Sequence, residues 1–350
     1  MRADIRQLQV IAPNFKRRLS GVTATVVRLV PVQARDIAIA ATGPVIPDHV
    51  PQIPLGHLFT MPRSGPDGPR VWHARRNVEM IGGLALKYLL GKRLKLVFTS
   101  ASQRRQTGLT RWLIRRMDAV VATSTKTASY LEVPAQVIMH GIDLDGFSPP
   151  QDRAALRRNL GLPEEGPLLG CYGRIRASKG TDIFVEAMIA ALGRMPGHAL
   201  VMGRAVDKDR AFFDRLRARV DQAGLGGRIH FLPEVPVQDM ADWYRVLDLY
   251  VAPQRWEGFG LTPIEAMACG VPVVATRVGA FEQIVTEQTG ALVDPGDAAA
   301  LAEAVRQAFG PDRPIDTWAR NARPHVARHF SIEREASELV ALYRRLLQAG

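Results

Sequence analysis

The stretch WEGFGLTPIEAMACGVPVVAT, Trp256–Thr276, decides the fold. Its last part, VPVVAT (Val271–Thr276), is a short valine-rich run of the kind found in buried strands. LYVAP (Leu249–Pro253), just upstream, is another. Between them Thr262 and Pro263 announce a helix, with Thr as N-cap and Pro at the first helical position. Strand, glycine-rich turn, helix, strand is a parallel βαβ unit. Two carboxylates flank the turn, Glu257 and Glu265. Glu265 lies three residues after Thr262, the spacing of a capping box, so a helix-stabilising role is open to it. The only structural reading for Glu257 is a solvated loop charge.

In an open parallel sheet, ligands bind beyond the carboxyl ends of the strands, and the loop Gln254–Leu261 occupies such a place. Gly258 and Gly260 let backbone amides approach a ligand closely. The helix that follows points its positive end at the same spot, which favours a diphosphate. Ionised carboxylates only accept hydrogen bonds, so Glu257 and Glu265 suit hydroxyl groups of sugar or ribose. A second segment agrees. GRIRASKG (Gly173–Gly180) follows the strand LLGCYGR (Leu168–Arg174), and its Arg174 and Lys179 suit the charge of a departing diphosphate. Amides and cations for phosphate, with acids for hydroxyls, describe a nucleotide-sugar site.

The alternation extends in both directions. Ala199–Gly203 and Ile229–Pro233 read as further C-terminal strands, with helices at Gly180–Leu192, Asp209–Ala223, Asp239–Val246, Asp297–Phe309 and Ile332–Leu347. In the N-terminal half the strands fall at Ile5–Ala12, Asp36–Thr42, Arg70–Trp72, Leu94–Ser100, Ala119–Ser124 and Ala135–His140. A helix opens at Ser20 and Gly21, and Val50–Pro69 reads as loop. Pro149 and Pro150 break the chain within a linker, Leu144–Gly166. The class is α/β, with two doubly wound Rossmann-like domains in tandem, as 350 residues allow.

Charge divides unevenly. Residues 1–150 hold 21 Lys and Arg against 9 Asp and Glu, whereas residues 151–350 hold 25 of each, so the net +12 sits in the first half. A one-sided basic field attracts anionic partners. Lys16, Arg17 and Arg18, Arg75 and Arg76, Arg104 and Arg105, and Arg115 and Arg116 form its clusters. Two cysteines, Cys171 and Cys269, support neither a disulfide framework nor a cysteine zinc site, and suit a reducing cytoplasm. No apolar run reaches the ~18 residues of a membrane span, and the N-terminus lacks a signal-peptide core. His325 and His329 read as solvated, with no acidic metal ligand beside them.

Glu257 and Glu265 with seven residues between them, GRIRASKG, and HGIDLDGFSPP (His140–Pro150) together resemble the retaining GT-B glycosyltransferases. That large family includes sucrose synthases and bacterial lipopolysaccharide glycosyltransferases. The resemblance implies two Rossmann-like domains facing a central cleft. Residues 1–148 would bind acceptor and 149–330 the nucleotide-sugar, and a C-terminal helix, 331–350, would cross back to the N-domain. It implies that Glu257 contacts the transferred sugar and Glu265 the ribose. Gly258, Phe259, Gly260 and Leu261 would supply amides, and Arg174 and Lys179 would bind the diphosphate. Gly21 would face the donor phosphates, while Glu234 and Val235 would lie at the base. Transfer would proceed by front-side attack, with the leaving phosphate as base and neither metal nor cofactor.

Where many members carry Thr-x-His, this chain has Thr99 to Gln103 without a histidine, and Ser102 or Gln103 would substitute for it in positioning the sugar. VWHARRNVEM (Val71–Met80), VFTSASQRRQTG and LIRRMDAVVATS are similar to the core mannosyltransferases of alpha-proteobacterial lipopolysaccharide. Those enzymes use GDP-mannose and act on Kdo-lipid A at the cytoplasmic membrane face. Carried over, His73, Arg75, Arg76, Lys16, Arg17 and Arg104 become acceptor-binding candidates, and the protein a peripheral one on the inner face of the membrane. The alternatives are a UDP-sugar transferase acting on another anionic glycan or lipid, and a nucleotide-sugar epimerase. No nucleic-acid module is recognisable despite the sequence pI near 10.3, and no Gly-x-Gly-x-x-Gly follows a first strand as a dinucleotide oxidoreductase requires.

Overall fold

The computed structural model describes residues 2–17 and 21–349; Arg18 and Ser20, singled out above, lie outside them. Two compact units are present. The first comprises Met1–Gly141 with Ile332–Gly350, the second Ile142–Ser331.

The first unit carries strands β1 (Val10–Pro13), β2 (Ile39–Thr42), β3 (Gln52–Ile53), β4 (Arg70–Ala74), β5 (Leu94–Ser100), β6 (Ala119–Ala122) and β7 (Gln136–Val137). All pair parallel, in the order β3-β2-β1-β4-β5-β6-β7. Between them run helices α1 (Gly21–Gln33), α2 (His57–Thr60), α3 (Asn77–Tyr88), α4 (Gly108–Ile114) and α5 (Thr125–Ser129). Strand side chains alternate between two cores, as the pleat requires. Val10, Ala12, Val71 and Val97 pack under α1 together with Ile332, Ala336, Leu339 and Tyr343 from the C-terminal end of the chain. Ile11, Trp72, Leu96 and Phe98 pack on the other face beneath α2, α3 and α4. The Val50–Pro69 segment is not plain loop, because β3 and α2 lie inside it. Two residues of strand and four of helix leave too short a periodic signal to be legible.

The second unit carries α6 (Arg153–Asn159), β8 (Leu168–Tyr172), α7 (Thr181–Leu192), β9 (His198–Met202), α8 (Arg210–Gln222), β10 (Ile229–Leu232), α9 (Met240–Arg245), β11 (Leu249–Ala252), α10 (Thr262–Ala268), β12 (Val273–Thr276), α11 (Phe281–Ile284), β13 (Gly290–Val293), α12 (Ala298–Ala308) and α13 (Pro314–His329). Its strands are ordered β10-β9-β8-β11-β12-β13, all parallel. The order reverses between β8 and β11, which opens a crevice at their carboxyl ends.

Helix α14 (Ile332–Gln348) joins the first unit, where it packs beside α1. Glu335 anchors its start, accepting from the Gly141 amide and bonding His140 Nδ1, each at 2.7 Å. The first boundary falls after Gly141 rather than after Ser148. The reason is polar: Ile142 donates to the Phe330 carbonyl, Arg323 to the carbonyls of Leu144 and Phe147, and Arg245 to those of Gly146 and Ser148. Residues 142–148 are thereby bound into the second unit. Pro149 and Pro150 mark a bend, not the boundary.

Candidate functional site

In the second unit the loops after β8 and β11 meet at the strand-order reversal. Gly180 closes the first loop with φ +69°, and a Cβ there would lie 1.8 Å from the Pro253 carbonyl oxygen of the second. Only glycine permits that approach. Arg255, overlooked in the sequence, staples the two loops. Its backbone amide donates to Ser178 O, and its guanidinium to Ala177 O and to both oxygens of Asp182, at 2.6 and 2.8 Å. The Asp182 carboxylate raises the Arg255 pKa.

Across this junction Lys179 Nζ bonds Glu257 Oε2, with both side chains partly open to solvent. Glu257 is therefore not an unoccupied carboxylate. It holds the lysine, and its other oxygen accepts from the Gly258 amide at 3.0 Å. The glycines around it serve tight packing. Gly260 has φ +91°, and a Cβ would meet the Phe281 ring at 2.2 Å, while Phe259 is buried.

Next to this pair lies a pocket of about 320 Å³ whose lining includes Arg174, Arg204, Glu234, Val235, Tyr244 and Glu265. Four sequence-predicted residues, Arg174, Glu234, Val235 and Glu265, thus share one cavity. Lys179, Glu257 and Gly258 to Leu261 do not line it; their loop runs into Thr262, which does. Arg174 is exposed. Gly203 at the end of β9, with φ +151°, lets the β8 and β9 ends close on each other, since a Cβ there would lie 1.9 Å from Gly173 O. Arg204, also overlooked, faces Glu234 with its Nε 3.3 Å from the carboxylate. Its signal was its place immediately after a strand end.

Helix α10 corrects one expectation. Thr262 is its first residue, and Leu261, in helical conformation, precedes it, so the capping-box register does not form. Proline at the second position and a helical preceding residue shift the start by one. The Glu265 side chain instead accepts from the Tyr244 hydroxyl at 2.8 Å. Tyr244 is buried against Tyr172 and Tyr250. Burial first, then the Glu265 charge, holds its phenol well above the usual range, so it remains a donor. The tyrosine fixes one carboxylate oxygen at the pocket wall.

In the first unit three acceptor candidates are engaged within the fold. His73 is fully buried, with Nδ1 2.5 Å from the Tyr343 hydroxyl and Nε2 2.7 Å from Thr99 Oγ1. Desolvation, then the Arg75 charge, pushes its pKa well down, so it is a neutral core residue joining β4, β5 and α14. Arg76 donates to Asn14 Oδ1, to Glu79 Oε1 and to Thr23 Oγ1, at 2.8, 2.7 and 3.1 Å. Arg75 is buried, its amide on Glu79 Oε2 and its guanidinium on the His73 carbonyl. A strand-end Arg-Arg pair looks the same in sequence whether it faces a ligand or its own chain.

Lys16, Arg17 and Arg104 are exposed. Gly21 begins α1, and nothing lies within 4 Å of where its Cβ would sit. Gln103 is buried, its amide 3.4 Å from Ser124 Oγ, and Ser102 is half-buried. His325 is not solvated but half-buried on the Ile284 carbonyl.

Residues 166–310 match the family model described as glycosyl transferases group 1. The chain is 51% identical to the lipopolysaccharide core biosynthesis mannosyltransferase LpsB of Rhizobium meliloti (strain 1021), over 99% of each sequence. It is 50% identical to the mannosyltransferase LpcC of Rhizobium leguminosarum bv. viciae, over 98% of each. Among solved structures, the sucrose-phosphate synthase of Thermosynechococcus elongatus superposes with a TM-score of 0.78 at 24% identity, over 98% of this chain and 100% of that one. The fold is therefore GT-B. With the strand-end pocket and the full-length similarity together, the chain belongs to the group 1 glycosyltransferases and is an enzyme of glycosyl transfer.

Proposed function

We propose that this chain moves mannose from GDP-mannose, with retention at the anomeric carbon, onto the inner core of Kdo-lipid A at the cytoplasmic face of the membrane. The observation that carries the reading is the pocket beyond β8, β9 and β11, where two exposed cations, Arg174 and Arg204, share the lining with a hydroxyl-accepting carboxylate, Glu265, held by a buried tyrosine. Guanosine would enter beside Glu234 and Val235, and its ribose would donate to Glu265. The diphosphate would then lie between Arg174 and Lys179, and the sugar beside Glu257.

In this reading the acceptor hydroxyl enters on the face from which the diphosphate departs. Its proton passes to a leaving phosphate oxygen, and the new glycosidic bond forms as the sugar–phosphate bond breaks. Arg174 and Lys179 stabilise the developing charge, and Glu257 keeps the lysine in place. Lys16, Arg17 and Arg104 remain open to an anionic acceptor. The names of the relatives support mannose and the lipopolysaccharide core.

The test is a donor screen with Kdo-lipid A as acceptor, run in EDTA, alongside thermal stabilisation by GDP, UDP and NAD. The expected result is transfer from GDP-mannose alone and a shift with GDP. Transfer from a UDP-sugar instead would move the chain to the alternative donor class; no shift with any nucleoside diphosphate would overturn the pocket assignment.

A further inference from the structure

The two units differ in where they leave apolar side chains bare. Thirteen large hydrophobic residues are exposed among the described ones, and eleven belong to the first unit. Helix α3 concentrates them. Its inward side carries Met80, Gly83 and Leu84, and a Cβ at Gly83 would strike the Trp72 ring at 2.6 Å, so the helix cannot roll. Its outward side carries Val78, Ile81 and Tyr88, followed by Leu89, which is 82% exposed. Positions 78, 81 and 88, with the half-buried Ala85, fall on one face of a 3.6-residue repeat. A helix apolar on both faces, with one face covered by its own core, has a second surface to bury.

Neighbouring elements extend the stripe. Asn77 Nδ2 bonds Thr110 Oγ1 at 2.8 Å, which fixes the first turn of α3 against α4. There Leu109 and Trp112 are exposed, one helical turn apart. Beyond Leu90, Lys92 Nζ bonds the Met61 carbonyl at 2.6 Å and ties the end of α3 to the segment after α2, whose Phe59 is also exposed.

The charges around the stripe have one free sign. Arg104 and Arg105 are exposed and make no ion pair among the described residues. The Arg116 guanidinium stacks 3.6 Å over the Trp112 ring without a carboxylate partner there, and Arg93 is exposed just past α3. The acids bonded to this region are already engaged: Asp118 by Lys87, Glu132 by Arg111 and Arg115, and Glu79 in the interior. Exposed aliphatic and aromatic side chains rimmed by unneutralised arginine match an anionic lipid surface, where apolar groups enter the acyl boundary and cations meet headgroups. Trp and Tyr favour that interface because one end is apolar and the other polar.

We propose that the outward face of α3, with α4 and the tip of α2, is the surface by which this protein sits on an anionic bilayer. The inference rests on the proposed function only in supposing a lipid-linked acceptor. The surface itself is independent of donor and of catalysis.

The test is co-sedimentation with phosphatidylcholine vesicles, with and without phosphatidylglycerol, across a salt series. Binding is expected only with phosphatidylglycerol, weakening as salt rises. Leu89→Asp and Trp112→Asp should each cut partitioning roughly tenfold, and Arg105→Glu roughly fivefold or more. The aspartate variants should keep GDP-induced stabilisation and turnover of a detergent-dispersed acceptor. Equal partitioning of wild type and variants would overturn the proposal. So would a lipid-free dimer that Leu89→Asp disperses, because the face would then belong to a second copy. If vesicle binding fails while mannose transfer persists, only this surface falls; if binding holds and transfer fails, only the donor and acceptor reading falls.

Discussion

The two units are built on one plan and use the same place in it for opposite ends. Each has a parallel sheet whose order reverses beside its first strand, at β1 and β4 in one unit and at β8 and β11 in the other. Each puts arginine just past one of those strands. In the second unit the polar groups gathered there face outward: Arg174 is exposed, and Lys179 and Glu257 are partly open. In the first unit the crevice is filled from within. Arg76 spans Asn14 after β1, Thr23 on α1 and Glu79 on α3, and His73 is bolted to α14 through Tyr343. A topological switch point is an opportunity for a ligand, and side-chain pairing decides whether it is left open. The charged surface of the first unit accordingly lies elsewhere, at Lys16, Arg17, Arg104 and around α3 and α4.

The sharpest way to break this contrast is to remove the internal clamp. Arg76→Ala removes the cation paired with the fully buried Glu79 carboxylate, leaving it the Arg75 amide, and should cost about 3–5 kcal/mol of stability. Stabilisation by GDP should survive in the folded fraction, because the pocket is lined only by residues of the second unit. A loss under about 1 kcal/mol in urea unfolding would mean that the clamp is no lock. The mirror experiment is Lys179→Ala. It should lower kcat by about 10²–10³ while barely moving Tm, since the Lys179–Glu257 pair is partly solvated. Near-normal turnover would remove Lys179 from the diphosphate site.

The smallest effect is one of pH. His73 is held neutral in the fold, with its pKa well below its ordinary value, so the unfolded chain binds the extra proton more readily. The associated stability is complete above about pH 6.5 and is lost as pH falls toward the folded-state value, by up to about 1.4 kcal/mol per pH unit. His198, His230 and His325, also depressed by burial, add the same sign. His73→Gln should flatten part of the dependence of unfolding free energy between about pH 7.5 and 5.5. An unchanged slope would mean that the buried histidine contributes none of it.

The sequence by itself determined the parallel α/β architecture, the tandem repetition of the plan, and the strand-end positions of Arg174 and Glu265. Those follow from local patterns: valine-rich runs, glycine turns at strand ends and the Thr-Pro helix start all act within a few residues. Glu234 and Val235 were reached only through the family resemblance. Short elements such as β3 and α2 stayed hidden because so few residues carry no period.

What only the tertiary structure decided is which charged groups are already paired. Glu257 meets Lys179 from 78 residues away, Glu265 meets Tyr244, and Arg76 meets Asn14 across 62 positions. Such pairings depend on which loops converge at the carboxyl edge of a sheet. One-dimensional spacing does not encode that convergence. The outward face of α3 is the same lesson in apolar form. Val78 and Met80 are both hydrophobic in sequence, and only the packing of Gly83 on Trp72 settles which of them faces water.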